Sequence, residues 1–167
     1  YARGLARAAQ EAGARLHETS QVTETQYENG VWRLATGQGG RVVARRLLFA
    51  TNGYHRAPRG GDLPRMAVLH FFQLATEPLP ETLIAGVLPG GEGAWDTGRI
   101  MTSFRRDAAG RLILGGMGRP EGLARALHHG WARRKLAALF PSLTGVRFAH
   151  EWTGRIAVTG DHVPKVL

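Results

Sequence analysis

The alternation of apolar and polar positions divides the chain into short segments with two different periods. Tyr1, Leu5, Ala8, Ala9 and Ala12 recur at helical spacing, and Gly13 stands where a helix-terminating glycine belongs. Ala14 to Glu18 reads as a short strand. Gln21 to Tyr27 and Val31 to Thr36 then flank Glu28-Asn29-Gly30, whose Asn-Gly pair is a strong hairpin-turn signal. Gly37-Gln38-Gly39-Gly40 turns the chain into a further strand segment, Arg41 to Ala50.

The run Leu47-Leu48-Phe49-Ala50-Thr51-Asn52-Gly53-Tyr54 begins as continuous apolar sequence and stops at small and turn-forming residues. Such a run suits a strand buried on both faces, as in a parallel sheet. Open α/β sheets place their ligands at the carboxyl ends of such strands. Asn52-Gly53 supplies a tight turn through which backbone can approach a bulky group.

A loop rich in Pro, Gly and Arg, Arg56 to Pro64, marks a lobe boundary, after which the pattern turns antiparallel. Ala67 to Thr76 reads as a long strand ended by Glu77-Pro78. Ile100 to Arg106 and Arg111 to Leu114 make a second hairpin across Asp107-Ala108-Ala109-Gly110. Leu123, Leu127, Trp131 and Leu136 build one face of a helix opened near Pro120 and stopped by Pro141. Val146 to Val158 is a last long strand, interrupted at Gly154. The expected plan is a small α/β lobe followed by an antiparallel sheet with a covering helix.

Composition narrows the function classes. A chain of 167 residues with 43% hydrophobic residues and four tryptophans is long enough and apolar enough to bury a core. The absence of cysteine excludes disulfides and thiolate chemistry and fits a reducing, cytoplasmic setting. No apolar stretch approaches the roughly 20 residues that cross a bilayer. The net charge of +9 rests almost wholly on arginine, Lys135 and Lys165 being the exceptions. Those arginines are scattered rather than clustered with aromatics, which argues against a nucleic-acid footprint. The chain opens inside a helical pattern and stops inside the strand-like Val163 to Leu167, as an internal fragment would.

No motif supplies a self-sufficient catalytic group. Gly115-Gly116-Met117-Gly118 follows a strand and precedes a helix, but the third glycine of a G-x-G-x-x-G fingerprint would fall on Glu121, so it reads as a strand-end loop. His128-His129 are adjacent on a helix and point about 100° apart, which prevents chelation of one metal. His150, Asp161 and His162 match no common metal spacing, and no metal site is expected. Ser20, Ser103 and Ser142 lack a nucleophile elbow.

The order of landmarks resembles the middle of a flavin-dependent oxidoreductase of the D-amino-acid oxidase-like (DAO) family, nearest its gamma-glutamylputrescine oxidoreductase-like branch. The matching segments are Gly4-Leu5-Ala6 with Gly13-Ala14, Leu48 to Tyr54, Gln73 to Leu79, Trp95-Asp96, and Phe104-Arg105 with Gly110 to Gly116. Leu139-Phe140-Pro141 and Trp152-Thr153-Gly154 with Asp161 and Pro164 complete the series. The resemblance implies an α+β fold: the α/β part of an FAD-binding lobe at residues 1–58, a substrate lobe at 59–150, and a return toward the first lobe at 151–167.

It also implies roles. Val22, Ala50, Thr51, Asn52, Gly53, Trp152 and Gly154 would lie along the FAD, and Met101, Ser103, Arg105 and Met117 would face the substrate. FAD would accept hydride from the carbon beside the nitrogen of an amine or amino acid, leaving an imine, with an arginine such as Arg105 clamping a carboxylate. Two features depart from the family pattern. The glycine-rich FAD fingerprints of both termini are missing, and Ile113 stands where monomeric sarcosine oxidases place a lysine. FAD is therefore expected in the full-length protein, and the fragment alone is expected to be inactive. A stand-alone small-molecule-binding module without catalysis, or a basic nucleic-acid-binding domain, are the alternatives.

Overall fold

The computed structural model describes residues 1–60, 66–98 and 101–160. The chain divides into two compact units, Tyr1–Ala50 with His55–Arg65, and Thr51–Tyr54 with Met66–Leu167.

The first unit opens with helix α1 (Ala2–Glu11). Gly13, at φ 93°, ends it in the left-handed region, where glycine carries no Cβ penalty. The strand expected at Ala14 to Glu18 is absent: no strand pairs with this stretch among the described residues, and its backbone lacks the ladder a strand requires. Strands β1 (Val22–Glu28) and β2 (Val31–Thr36) form the expected hairpin, with Asn29 and Gly30 both at positive φ as a type I′ turn demands. Strand β3 (Arg41–Ala44) completes an antiparallel sheet in the order β1-β2-β3.

The apolar run does not continue as a strand. β3 stops at Ala44, residues 45–51 carry no strand, and Leu48 is 86% exposed. An apolar run becomes a buried strand only where neighbouring strands accept its hydrogen bonds and another layer covers it. Among the described residues no strand pairs with it.

The second unit holds strands β4 (Ala67–Thr76), β5 (Ala94–Trp95), β6 (Ser103–Arg106), β7 (Leu112–Met117) and β8 (Phe148–Val158), with helices α2 (Glu81–Ile84) and α3 (Ala124–Leu139). All strand pairs are antiparallel, in the order β5-β6-β7-β4-β8. β4 matches its expected span. The second hairpin forms across Asp107–Gly110, starting at Ser103; Arg99 and Ile100 lie outside the described residues.

Three expectations are corrected here. Gly115 and Gly116 sit inside β7 rather than in a strand-end loop, because Gly115 pairs with both β4 and β6 and Gly116 with β4. β8 passes through Gly154 without a break, its backbone held opposite Phe71 of β4. Helix α3 buries Ala132 and Leu136, while Leu123 precedes it fully exposed and Leu127 is 74% exposed. The inward stripe is rotated because His128 and Trp131 pack edge-on against Phe72, which turns Leu127 outward.

The core of this unit gathers Phe72, Leu74, Phe104, Leu112, Leu114 and Leu136 with Ile84, Val87 and Leu143. Arg106 ties α2 to the sheet by donating to the Ile84 and Val87 carbonyls. No helix among the described residues is long and apolar enough to cross a membrane.

Candidate functional site

Strand period separates the two faces of the five-stranded sheet. Phe72, Leu74, Phe104, Leu112 and Leu114 point to one side, the core side, where α3 packs. The intervening residues point to the other: Phe71, Gln73 and Ala75 of β4, Ile113 and Gly115 of β7, Ser103 and Arg105 of β6.

One cross-strand row runs the full width of that second face. Trp152 stands opposite Gln73, Gln73 opposite Gly115, Gly115 opposite Ser103, and Ser103 opposite Trp95. The indoles at its ends are exposed, Trp152 by 42% and Trp95 by 70%. At its centre the missing Cβ of Gly115 admits two polar side chains. A Cβ there would fall 2.3 Å from Gln73 Nε2 and 2.4 Å from Ser103 Oγ. Among the described residues neither side chain has a hydrogen-bond partner. The row has aromatic ends and an uncommitted polar middle. On the opposite face Gly116 does the same for apolar groups, a Cβ there meeting Phe72 and Trp131 at 3.0 Å.

The expected site residues fall as follows. Ser103, Arg105, Trp152 and Gly154 share the open face, Arg105 one step along from Ser103 beside Ile113. Met117 ends β7 opposite Phe71 and also borders a cavity on the helix side. Met101 is exposed just before β6. Val22 begins β1 and Ala50 ends the first stretch of the first unit, whereas Thr51, Asn52 and Gly53 belong to the second.

Asn52–Tyr54 is a single 3-10 turn seated on the outer edge of β8. The close approach that glycine permits at position 53 is to β8 itself, a Cβ there lying 2.8 Å from the Arg155 carbonyl carbon. Gln73 and Trp95 stood among the family landmarks in the sequence but were given no site role there. The period-two pattern of β4 could have pointed to Gln73, a polar residue set among Phe71, Phe72, Leu74 and Ala75.

Among the described residues, carboxylates elsewhere in the unit are committed to partners. Lys135 Nζ donates to Asp96 Oδ2 at 2.6 Å, and this bond with those from the Thr102 and Gly98 N–H groups holds the Asp96 carboxyl well below the usual range. Glu151 of β8 meets His129 and Arg125 of α3; burial pushes its carboxyl up, but those two bonds outweigh burial and leave it lowered. Asp107 is lowered likewise, Arg111 outweighing burial. Among the described residues no group of three His, Asp or Glu side chains is placed to hold a metal.

The family model for the FAD dependent oxidoreductases termed DAO matches residues 1–166. The chain belongs to the DAO family. Members of this family are FAD-dependent flavoproteins. Among curated DAO-family relatives, "Probable oxidoreductase OrdL" of Rhizobium meliloti is 29% identical over 96% of this chain and 37% of its own length. The gamma-glutamylputrescine oxidoreductase of Escherichia coli is 29% identical over 92% of this chain and 36% of its own length. The chain thus spans little more than a third of the curated relatives it matches. Glycine oxidase from Geobacillus kaustophilus shares the fold with a TM-score of 0.73 at 19% identity, over 98% of this chain and 43% of its own. An L-amino acid deaminase from Proteus vulgaris follows at 0.63 and 19%, over 96% and 40%.

Proposed function

We propose that the open face of the five-stranded sheet is the substrate side of an FAD-dependent oxidoreductase that acts on the C–N bond of an amine or amino acid. The row Trp152–Gln73–Gly115–Ser103–Trp95 carries the reading. The Gln73 carbonyl and the Ser103 hydroxyl can each accept an N–H of a substrate amine. Arg105 lies on the same face, next to that pair, and its guanidinium can take a carboxylate by a two-pronged contact. The exposed indoles would cover the aliphatic part of a substrate and shed water from it.

The residues present fit a flat ring system. Gly115, Gly154 and Ala75 keep parts of this face low beside the aromatic rings of Phe71 and Trp152, against which a planar group can stack. Thr51, Trp152 and Gly154, with Val22 and Ala50 from the first unit, are the residues assigned to FAD, Asn52 and Gly53 contributing through backbone because the Asn52 oxygen and the Gly53 α-carbon are taken up by β8. FAD, when bound, supplies the hydride acceptor for oxidation of the carbon beside nitrogen. Met101, Ser103, Arg105 and Met117 are assigned to the substrate. The names of the relatives, an amine oxidoreductase and enzymes of glycine and L-amino acids, support that substrate class.

The test is anaerobic mixing of the FAD-loaded full-length protein with a panel of amines and amino acids, read as loss of the flavin absorbance band. Bleaching by at least one of them, slowed in Ser103→Ala and Gln73→Ala, is the expected result. Bound flavin that none of them bleaches overturns the reading.

A further inference from the structure

The row Trp152–Gln73–Gly115–Ser103–Trp95 has a neighbour two residues along four of its strands. Arg105 of β6 stands opposite Ile113 of β7, Ile113 opposite Ala75 of β4, and Ala75 opposite His150 of β8. Ile113 and Ala75 are buried and carry no polar side-chain group, so the polar side chains of this second row stand at its two ends. Arg105 and His150 are both exposed, and neither has an ion-pair partner among the described residues.

Among the described strand residues on this side of the sheet, these two alone carry an ionisable side chain. Asp96 and Asp107, which follow β5 and β6, are already bound to Lys135 and Arg111. The face thus offers two donors to anions and no free acid to repel one. A guanidinium takes a carboxylate by two parallel bonds, and an imidazole donates an N–H to one in either protonation state. The net charge of +9 draws anionic molecules toward the chain as a whole.

Neighbouring strands lie about 4.7–4.9 Å apart, so positions three strands apart are roughly 14 Å from each other. Both side chains can lean inward, which leaves a gap that a chain of a few carbons bridges. Gln73 and Ser103, the acceptors for a substrate nitrogen, stand on the two strands between and beside these ends. Taking the open face as the substrate side, the reading on which this rests, we propose that the substrate is an amine or amino acid with two carboxylates. Arg105 holds one carboxylate and His150 the other. A substrate with one carboxylate engages Arg105 alone, so His150 is the residue that selects for the second acid.

The test uses the FAD-loaded full-length protein and two probes that lack nitrogen and are not oxidised. Calorimetric titration should show glutarate binding at least tenfold more tightly than butyrate. His150→Ala should erase that advantage, His150→Gln, which keeps an N–H donor, should restore part of it, and Arg105→Ala should weaken both acids. In the same way kcat/KM should favour glutamate over glutamine by at least tenfold, in whichever enantiomer reacts, and His150→Ala should bring the ratio near one. Glutarate bound no more tightly than butyrate, or both acids weakened alike by His150→Ala, overturns the proposal. If neutral amines still bleach the flavin in that case, the substrate face stands and only the selection for a second acid falls. Flavin that no amine or amino acid bleaches removes the reading beneath it as well.

Discussion

The Ala157 N–H donates to Asn52 Oδ1 across 2.6 Å, linking a turn to an edge strand 105 residues further along the chain. The Gly53 N–H donates to the same oxygen at 2.7 Å, and the Arg155 N–H donates to the Tyr54 hydroxyl at 3.1 Å. β8 is the last strand of its sheet, so alternate N–H groups on its outer side have no strand to pair with. The turn takes two of them. Arg155 returns the contact by lying over the Tyr54 ring at 4.6 Å.

Replacing Asn52 should therefore act on stability. Asn52→Ala leaves the Ala157 and Gly53 N–H groups without their acceptor, and it puts a less tolerant residue at φ 46°. A loss of about 1–3 kcal/mol is expected. Asn52→Asp keeps the acceptor and should lose much less. The urea midpoints of the two variants measure the difference, and equal losses would refute the clamp.

The neighbouring glycines of β7 should respond in opposite ways. Gly116→Ala pushes a methyl against the rings of Phe72 and Trp131, groups held in the core, and should cost about 1–3 kcal/mol. Gly115→Ala meets only the far ends of the Gln73 and Ser103 side chains, which can swing away. It should melt near the wild-type temperature while lowering kcat/KM of the flavin-loaded full-length protein. Paired melting curves and kinetics test the asymmetry.

Arg105 is exposed and, among the described residues, without an ion pair, so its removal should leave the fold intact. Arg105→Ala is expected to raise KM for carboxylate-bearing substrates by about 10- to 100-fold, the loss of roughly 1.5–3 kcal/mol for a charged hydrogen bond. Substrates that lack a carboxylate should change little. A uniform effect on both classes would remove Arg105 from the site.

Acid should loosen the second unit. Asp96, held low by Lys135, and Glu151, held low by His129 and Arg125 against the push of burial, bind protons less readily folded than unfolded. The stability they contribute is complete above the unfolded values, near pH 4 to 4.5, and drains away as pH falls through the lower folded ones. Melting temperature should therefore fall below about pH 4.5. Asp96→Asn and Glu151→Gln should each flatten that fall. Unchanged acid slopes in both variants would rule out these pairs as its source.

Much of the fold was legible locally. Asn29-Gly30 demanded a turn with two positive φ values, and Asp107 to Gly110 closed the second hairpin. The run Leu47 to Tyr54 was misread for a non-local reason: its apolar residues met the pattern of a buried strand, but no neighbouring strand pairs with it among the described residues. Leu123 and Leu127 misled in the same way, since helical spacing locates a stripe but not the surface it meets. At the site, Ser103, Arg105, Trp152 and Gly154 were read individually from a family likeness, while Gln73 and Trp95 were read only as landmarks.

By itself the sequence determined the two hairpin turns, the long strands β4 and β8, the helix α3 and the family, because each of these rests on residues close in the chain or on their order along it. Only the tertiary structure decided that Trp152, Gln73, Gly115, Ser103 and Trp95 form one row. The period of a strand sorts its residues onto two sides, but which strand lies next to it, and in what register, is set by packing between distant segments. The same packing made Gly115 a cradle for polar groups and Gly116 a seat for aromatic ones, though the two glycines are adjacent and alike in sequence.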